Sequence, residues 1–309
     1  MSSKKKIHPT EKPGMHPDNR FRHRYDLPKL IESCPDLAPF VVVNKFDDET
    51  IEFSNPDAVK MLNKALLVHH YGLEYWDIPS GYLSPPIPGR AEYLHHIAEF
   101  LGKKKGGVVP KGGLVNCLDI GVGAGCIYPI IGHKEFGWSF MGTDIDPKAI
   151  RSAQKIVDKN KSLEGKINFR LQNKKTDIFN SIIKKHEFYD LSICNPPFHS
   201  SAEEAQAGTM RKLKNLGRDK VTEPVLNFGG QSNELWCEGG ERKFVTNMVV
   251  QSKHFSHSCR WFSTLVSKSE NLKPIYAAIK QTGALEMETL PISHGNKTSR
   301  IVVWTFLPN

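Results

Sequence analysis

The chain is 309 residues long, with 39% hydrophobic and 24% charged side chains, enough apolar material for one large core with extensions. Its formal net charge of +9 favours a polyanionic partner, nucleic acid first, although basic charge also serves solubility alone. No run nears the roughly eighteen apolar residues of a membrane helix, so no membrane partner is expected.

Residues 1–24 are polar and rich in Lys, Arg, His and Pro, without hydrophobic period, and read as a basic flexible arm. Their start, Met1-Ser2-Ser3-Lys4-Lys5-Lys6, has no apolar segment behind it and does not read as a secretory signal. Within the arm, His16-Pro17-Asp18-Asn19-Arg20-Phe21-Arg22-His23-Arg24-Tyr25 alternates cations with aromatics. Such interleaving suits RNA phosphates and bases, with Arg20, Arg22 and Arg24 as the contacts, and equally suits a solvated tail. Residues 25–107 read as a small helical and hairpin module. Val41–Asn44 and Thr50–Phe53 suggest a hairpin, Asn55-Pro56 starts a helix that Gly72 ends, and a stiff Pro-rich linker, 84–90, leads into a helix over 91–101. The adjacent pairs His69-His70 and His95-His96 project to different sides of a helix and do not converge on a metal.

The remainder, 108–309, alternates strand and helix signals, which predicts an α/β fold with a mostly parallel, doubly wound sheet. Strands are expected at 114–120, 138–143, 167–171 and 189–194, with a helix from Pro147 to about Asn160 and a short one over 177–184. The pattern breaks in a long polar loop, 199–239, where Arg211, Lys212 and Lys214 are candidate RNA contacts. A helix over 241–256, a strand over 261–266 and a helix over 272–281 follow. Strand candidates at 285–290 and 300–306 then form a C-terminal antiparallel hairpin. The six cysteines, at 34, 117, 126, 194, 237 and 259, show no Cys-x-x-Cys spacing. Reduced, buried thiols in a cytoplasmic protein fit best, and no metal is expected.

Two stretches carry chemistry. The first strand runs into Gly121-Val122-Gly123-Ala124-Gly125, where glycines let backbone approach a ligand at a helix N-terminus. Cys126 stands where a dinucleotide fingerprint wants a third glycine, and no Lys-Ser/Thr marks a triphosphate loop. With Asp144 ending the next strand, placed for ribose hydroxyls, this is an S-adenosylmethionine pattern. The second stretch is Asn195-Pro196-Pro197-Phe198, which closes the strand 189–194. The prolines stop the ladder and stiffen the chain. An amide oxygen plus a fixed carbonyl can accept both hydrogens of an exocyclic amine while a ring stacks on its heterocycle.

Together, Leu118-Asp119-Ile120-Gly121-Val122-Gly123-Ala124-Gly125-Cys126-Ile127-Tyr128-Pro129 and Cys194-Asn195-Pro196-Pro197-Phe198 resemble the bacterial ribosomal RNA large subunit methyltransferase F family. The resemblance extends to 16–21, 88–97 and Glu238-Gly239-Gly240-Glu241, nearly the whole chain. It implies a class I, Rossmann-like methyltransferase fold and transfer of a methyl group from S-adenosylmethionine to N6 of the adenine at position 1618 of 23S rRNA. The implied partner is 23S rRNA or an assembling large ribosomal subunit, met by a monomer. It also implies that Arg90 holds the cofactor carboxylate, Asp144 its ribose and Thr176 its adenine side, with Asp119, Gly121, Gly123, Gly125 and Asn195 completing the cofactor site. Asn195, Pro196, Pro197 and Phe198 would carry the catalysis. DNA adenine N6 and a protein glutamine N5 offer the same hydrogens to the same site, so both stay open, as does an RNA-binding factor without catalysis.

Overall fold

The computed structural model describes residues 11, 12, 14–205, 235–294 and 297–308, the side chains of 294 and 297 excepted. The expected contacts at Arg211, Lys212 and Lys214 lie outside these residues. In chain order come α1 (Leu27–Ser33), β1 (Val41–Val43), β2 (Glu49–Ile51), α2 (Pro56–Tyr71) and α3 (Ile87–Lys104). Then follow β3 (Asn116–Ile120), α4 (Ile127–Phe136), β4 (Ser139–Asp144), α5 (Pro147–Asp158), β5 (Ile167–Leu171) and β6 (Tyr189–Cys194). The chain ends through α6 (Gly240–Ser252), β7 (Cys259–Val266), α7 (Leu272–Thr282), β8 (Glu286–His294) and β9 (Lys297–Thr305).

Seven strands form one sheet in the order β5-β4-β3-β6-β7-β9-β8. The first five in that order are parallel to one another, and β9 runs antiparallel to both of its neighbours. Sequence order therefore reverses between β3 and β6, the place where open α/β sheets bind ligands beyond their carboxyl edge. Alternate residues of each strand feed opposite layers. Cys117, Leu191, Ile193 and Trp261 pack with α3, α4 and α5, while Leu118 and Phe262 pack with α6, α7 and residues 178–183.

The helix ends follow from local chemistry. The Asn55 side chain accepts from the amides of Asp57 (3.0 Å) and Ala58 (3.4 Å), with Pro56 at the first helical position of α2. Helix α3 begins at Ile87, inside the stretch expected to be a linker, because a first-turn proline has no helical partner for its missing N–H to lose. That puts Arg90 in the first turn of a helix. Residues 177–184 form turns in place of the expected helix. Ser181 adopts φ +66° there, and Ile178, Phe179, Ile182 and Ile183 are buried.

The 25–107 stretch shares one hydrophobic core with the sheet, so no break in the core falls at 107. Tyr93 and Ser263 hydroxyls meet at 2.8 Å, and the Phe100 ring packs edge-on against Trp261. The described part of the arm is also folded, which corrects the flexible reading. Phe21 is 1% exposed, and Asn19 is fully buried. The buried Glu92 carboxylate of α3 accepts from the His16 amide (2.8 Å), Asn19 Nδ2 (2.7 Å) and the His96 ring (3.0 Å). The arm cations are spent on protein partners: Arg20 on Glu135, Arg22 on Glu11 and Arg24 on Asp48. Two buried apolar residues, Met15 and Phe21, and a buried acid 73 positions from Asn19 fold this segment.

Replacing Glu92 by Ala leaves buried donors of the arm unpaired, each costing about 1–3 kcal/mol. Glu92→Ala is therefore expected to lower unfolding free energy by about 2–4 kcal/mol and to expose Arg20 and Arg22 to trypsin. Unaltered denaturation and digestion would show that the arm is not held there.

Candidate active site

The glycine turn leaves β3 beside the end of β4. Gly121 and Gly123 take φ of +76° and +66°, which side chains with a Cβ resist. The amides of Gly121 (2.9 Å) and Val122 (2.8 Å) both donate to the Thr143 carbonyl. The Gly123 amide donates to Asp144 Oδ2 at 3.0 Å, and Asp144 Oδ1 accepts from the Asp146 amide at 2.9 Å. Asp144 therefore props the turn from below. Trp76 Nε1 donates to the Gly125 carbonyl at 2.9 Å, and a Cβ on Gly125 would stand 3.3 Å from that ring.

These elements wall a cleft of about 1410 Å³ at the carboxyl edge of the sheet. Arg90, Gly121, Gly123, Gly125, Asp144, Thr176, Asn195, Pro196 and Pro197 all line it, so residues from five separate stretches converge. Arg90 is half-buried, its guanidinium carbon 5.6 Å from the centre of the Tyr128 ring, and forms no ion pair among the described residues. The Thr176 carbonyl accepts from Asn247 Nδ2 (3.1 Å) and Gln251 Nε2 (2.7 Å), which ties the loop after β5 to α6.

An amide oxygen and a carboxylate at this edge have no hydrogen-bond partner among the described residues. Among the described residues nothing donates to Asn195 Oδ1, which is closed off from solvent, or to either carboxylate oxygen of the fully buried Asp119. Burial, and then the nearby Asp144 charge, push the Asp119 carboxyl well above its ordinary range, while Arg90 pulls it down. Such groups cost free energy unless something meets them. A ligand with a cationic amine near Gly121 and an exocyclic amine near Asn195 would meet both groups.

Two expectations shift. Asp119 and Phe198 are not among the residues that line the cleft. Asp119 is fully buried off the wall, and the half-buried Phe198 ring packs against the core. The sequence reading also missed Trp236. The Leu235 carbonyl accepts from the His199 amide and the Cys237 amide donates to the His199 carbonyl, both at 3.1 Å, and this bridge carries Trp236 into the cleft wall beside Asn195-Pro196-Pro197. Its only signal was the apolar pair Leu235-Trp236 within a polar stretch. The nearby Glu238-Gly239-Gly240-Glu241 motif is structural in part. Buried Glu241 accepts from the Ser267 amide (2.7 Å), the Ser267 hydroxyl (2.7 Å) and Asn271 Nδ2 (2.6 Å). Among the described residues no cluster of three or more His, Cys, Asp or Glu is placed to hold a metal ion, and no helix is long and apolar enough to cross a membrane.

The strand order, the single reversed strand β9, the glycine turn and the acid ending β4 define a class I, Rossmann-like S-adenosylmethionine-dependent methyltransferase. A family model described as RNA methyltransferase matches residues 9–308. The ribosomal RNA large subunit methyltransferase F of Cytophaga hutchinsonii is 55% identical over 98% of this chain and 94% of its own. That of Photobacterium profundum is 52% identical over 99% and 95%. The catalytic domain of human METTL16 in complex with a MAT2A 3'UTR hairpin superposes with a TM-score of 0.79 at 27% identity, covering 96% of both chains. The N-terminal domain of human METTL16 in complex with SAH gives 0.75 at 26%, over 95% of this chain and 99% of that one. The chain belongs to the ribosomal RNA large subunit methyltransferase F family.

The raised Asp119 carboxyl destabilises the ligand-free fold increasingly as pH climbs from the ordinary carboxylate range through its raised one. Asp119→Asn is therefore expected to raise the melting temperature of ligand-free protein, with a gain larger at about pH 8 than at about pH 5. Equal destabilisation at both would mean that Asp119 has a partner.

Proposed function

We propose that this enzyme methylates the N6 amine of one adenine in 23S rRNA, with S-adenosylmethionine as donor. The observation that carries the reading is the unpartnered Asn195 Oδ1 at the end of β6, beside the glycine turn. The family's membership among RNA methyltransferases favours RNA over DNA or a protein glutamine, and the printed name of the relatives favours the large ribosomal subunit.

When bound, S-adenosylmethionine supplies an electrophilic methyl group on a sulfonium. The residues of this chain do the rest. Arg90, without a carboxylate partner of its own, pairs with the cofactor carboxylate. The buried Asp119, which favours its protonated form in the ligand-free protein, would ionise to offset the cofactor's ammonium when the cofactor binds. Asp144 keeps lone pairs beyond its two backbone contacts and accepts from the ribose hydroxyls, and Thr176 borders the cofactor adenine. At the reacting end, Asn195 Oδ1 and the Pro196 carbonyl accept the two amine hydrogens. An adenine amine is a poor nucleophile because its lone pair is delocalised into the ring, and these two acceptors draw it toward tetrahedral geometry. Pro196 and Pro197 fix the acceptors before the base arrives, so alignment costs little at the moment of reaction. The target base leaves its stack to reach the cleft. Trp236 offers a ring there, a contact worth about 1–3 kcal/mol, and Phe198 braces the loop from the core side.

Asn195→Ala is expected to leave cofactor affinity within about twofold and to lower single-turnover methylation of unmodified 23S rRNA by about a hundredfold or more, as for loss of one preorganised polar contact at a reacting centre. Single-turnover rates near wild type would overturn the role of Asn195 and with it this mechanism.

A further inference from the structure

The cations that the sequence offers most visibly, Arg20, Arg22 and Arg24, are each held by a carboxylate. The same is true of Lys64 with Asp36 and of Lys103 with Glu99. Helix α5 is different. Lys148, Arg151, Lys155 and Lys159, the last its C-terminal cap, recur at intervals of three and four residues and so share one face. All four are exposed, and among the described residues none has a carboxylate partner. The acid bordering the face, Asp158, is engaged by Gln154 Nε2 at 2.7 Å.

The face is also ordered and well placed. Lys155 and Lys159 hold their ammonium groups 5.3 and 4.6 Å from the centre of the Tyr75 ring. Asn160 clamps the Tyr75 backbone, donating to its carbonyl at 2.7 Å and accepting from its amide at 3.2 Å. Positioned lysines lose less freedom on meeting an anion. The helix starts at the cleft, where its cap residue Asp146 and Ala149 line the wall. From Lys148 to Lys159 the row descends about 16 Å along the flank, at close to one cation per helical turn.

We propose that this face of α5 tracks the phosphate backbone of the substrate RNA beyond the nucleotide in the cleft. The inference rests on the reading of the substrate as RNA and extends it to a surface outside the reacting site. Unpaired cations at regular spacing match the regular charge of a nucleic-acid strand and carry no base specificity.

The test compares wild-type protein with a variant carrying Lys148→Gln, Arg151→Gln, Lys155→Gln and Lys159→Gln. A control carries Lys273→Gln and Lys280→Gln on α7, which are exposed and equally unpaired. Each binds a fluorescein-labelled RNA hairpin at several salt concentrations. The α5 variant is expected to bind about tenfold or more weakly at low salt, with a log affinity against log salt slope smaller by about two to three units. The control and the cofactor affinity of all three proteins should match wild type. If the quadruple variant fails to fold, Lys155→Gln with Lys159→Gln should give about half the change in slope. An unaltered slope in a folded variant, or the same loss in the control, overturns the surface. In that event wild-type methylation of 23S rRNA still stands or falls separately. Methylation of a protein or of DNA by wild type, with no transfer to RNA, overturns the reading beneath it.

Discussion

The pairing of β3 with β6 is the constraint on which the site depends. These strands are far apart in sequence and parallel in space, with Ile120 in register with Cys194. The next residue on each side is Gly121 or Asn195, so the cofactor turn and the amide loop leave the sheet as neighbours. On the other side of β3, Ile120 stands opposite Thr143, and Asp144 follows at once. Three chain reversals thus meet at one edge without any contact between their side chains being needed to bring them there. The backbone ladder does it.

Burial of polar groups divides the molecule into two kinds of place. Glu92, Glu241 and Asn160 are nearly fully buried and satisfied by partners that include groups from distant parts of the chain. They fasten the arm, the start of α6 and the loop at Tyr75, and each would be costly to lose. The Asp119 carboxylate and the Asn195 Oδ1 atom are closed off at the same sheet edge, with nothing among the described residues to satisfy them. Single unmet groups also occur away from the cleft, at Tyr71 and His95, but the carboxylate and the amide oxygen left unmet together at this one edge store free energy that ligands release on binding. The same contrast holds for charge on the surface: the arm's arginines are spent on stability, and the α5 cations are left for something else.

The elements that made the fold legible were those with local causes. The capping side chain at Asn55, the prolines at 56 and 147, the glycine turn at 121–125 and the alternation of apolar strands with amphipathic helices each act within a few residues. Residues 177–184 misled because their spacing of Ile178, Phe179, Ile182 and Ile183 is helical, while Ser181 takes a left-handed conformation and tertiary packing decides. The arm misled for the opposite reason. Its composition is that of a solvated tail, and the acid that folds it lies in α3. Trp236 was out of reach for a similar cause, since a bridge to His199, far earlier in the chain, sets its place. In the site itself, residue types and spacing identified seven of the lining positions and the family resemblance added Arg90 and Thr176, whereas the place of Asp119 and Phe198 off the wall depends on packing that no short window contains.

The central claim is that the acceptors at the end of β6 receive the amine of an adenine in RNA. Identifying the product nucleoside tests it most directly. Purified enzyme, methyl-labelled S-adenosylmethionine and total RNA lacking the modification would be incubated together, and the RNA digested to nucleosides and separated. The account predicts label in N6-methyladenosine, confined to the large-subunit RNA fraction. Label in a ring-carbon or ribose methylation product, or in protein with none in RNA, would contradict it.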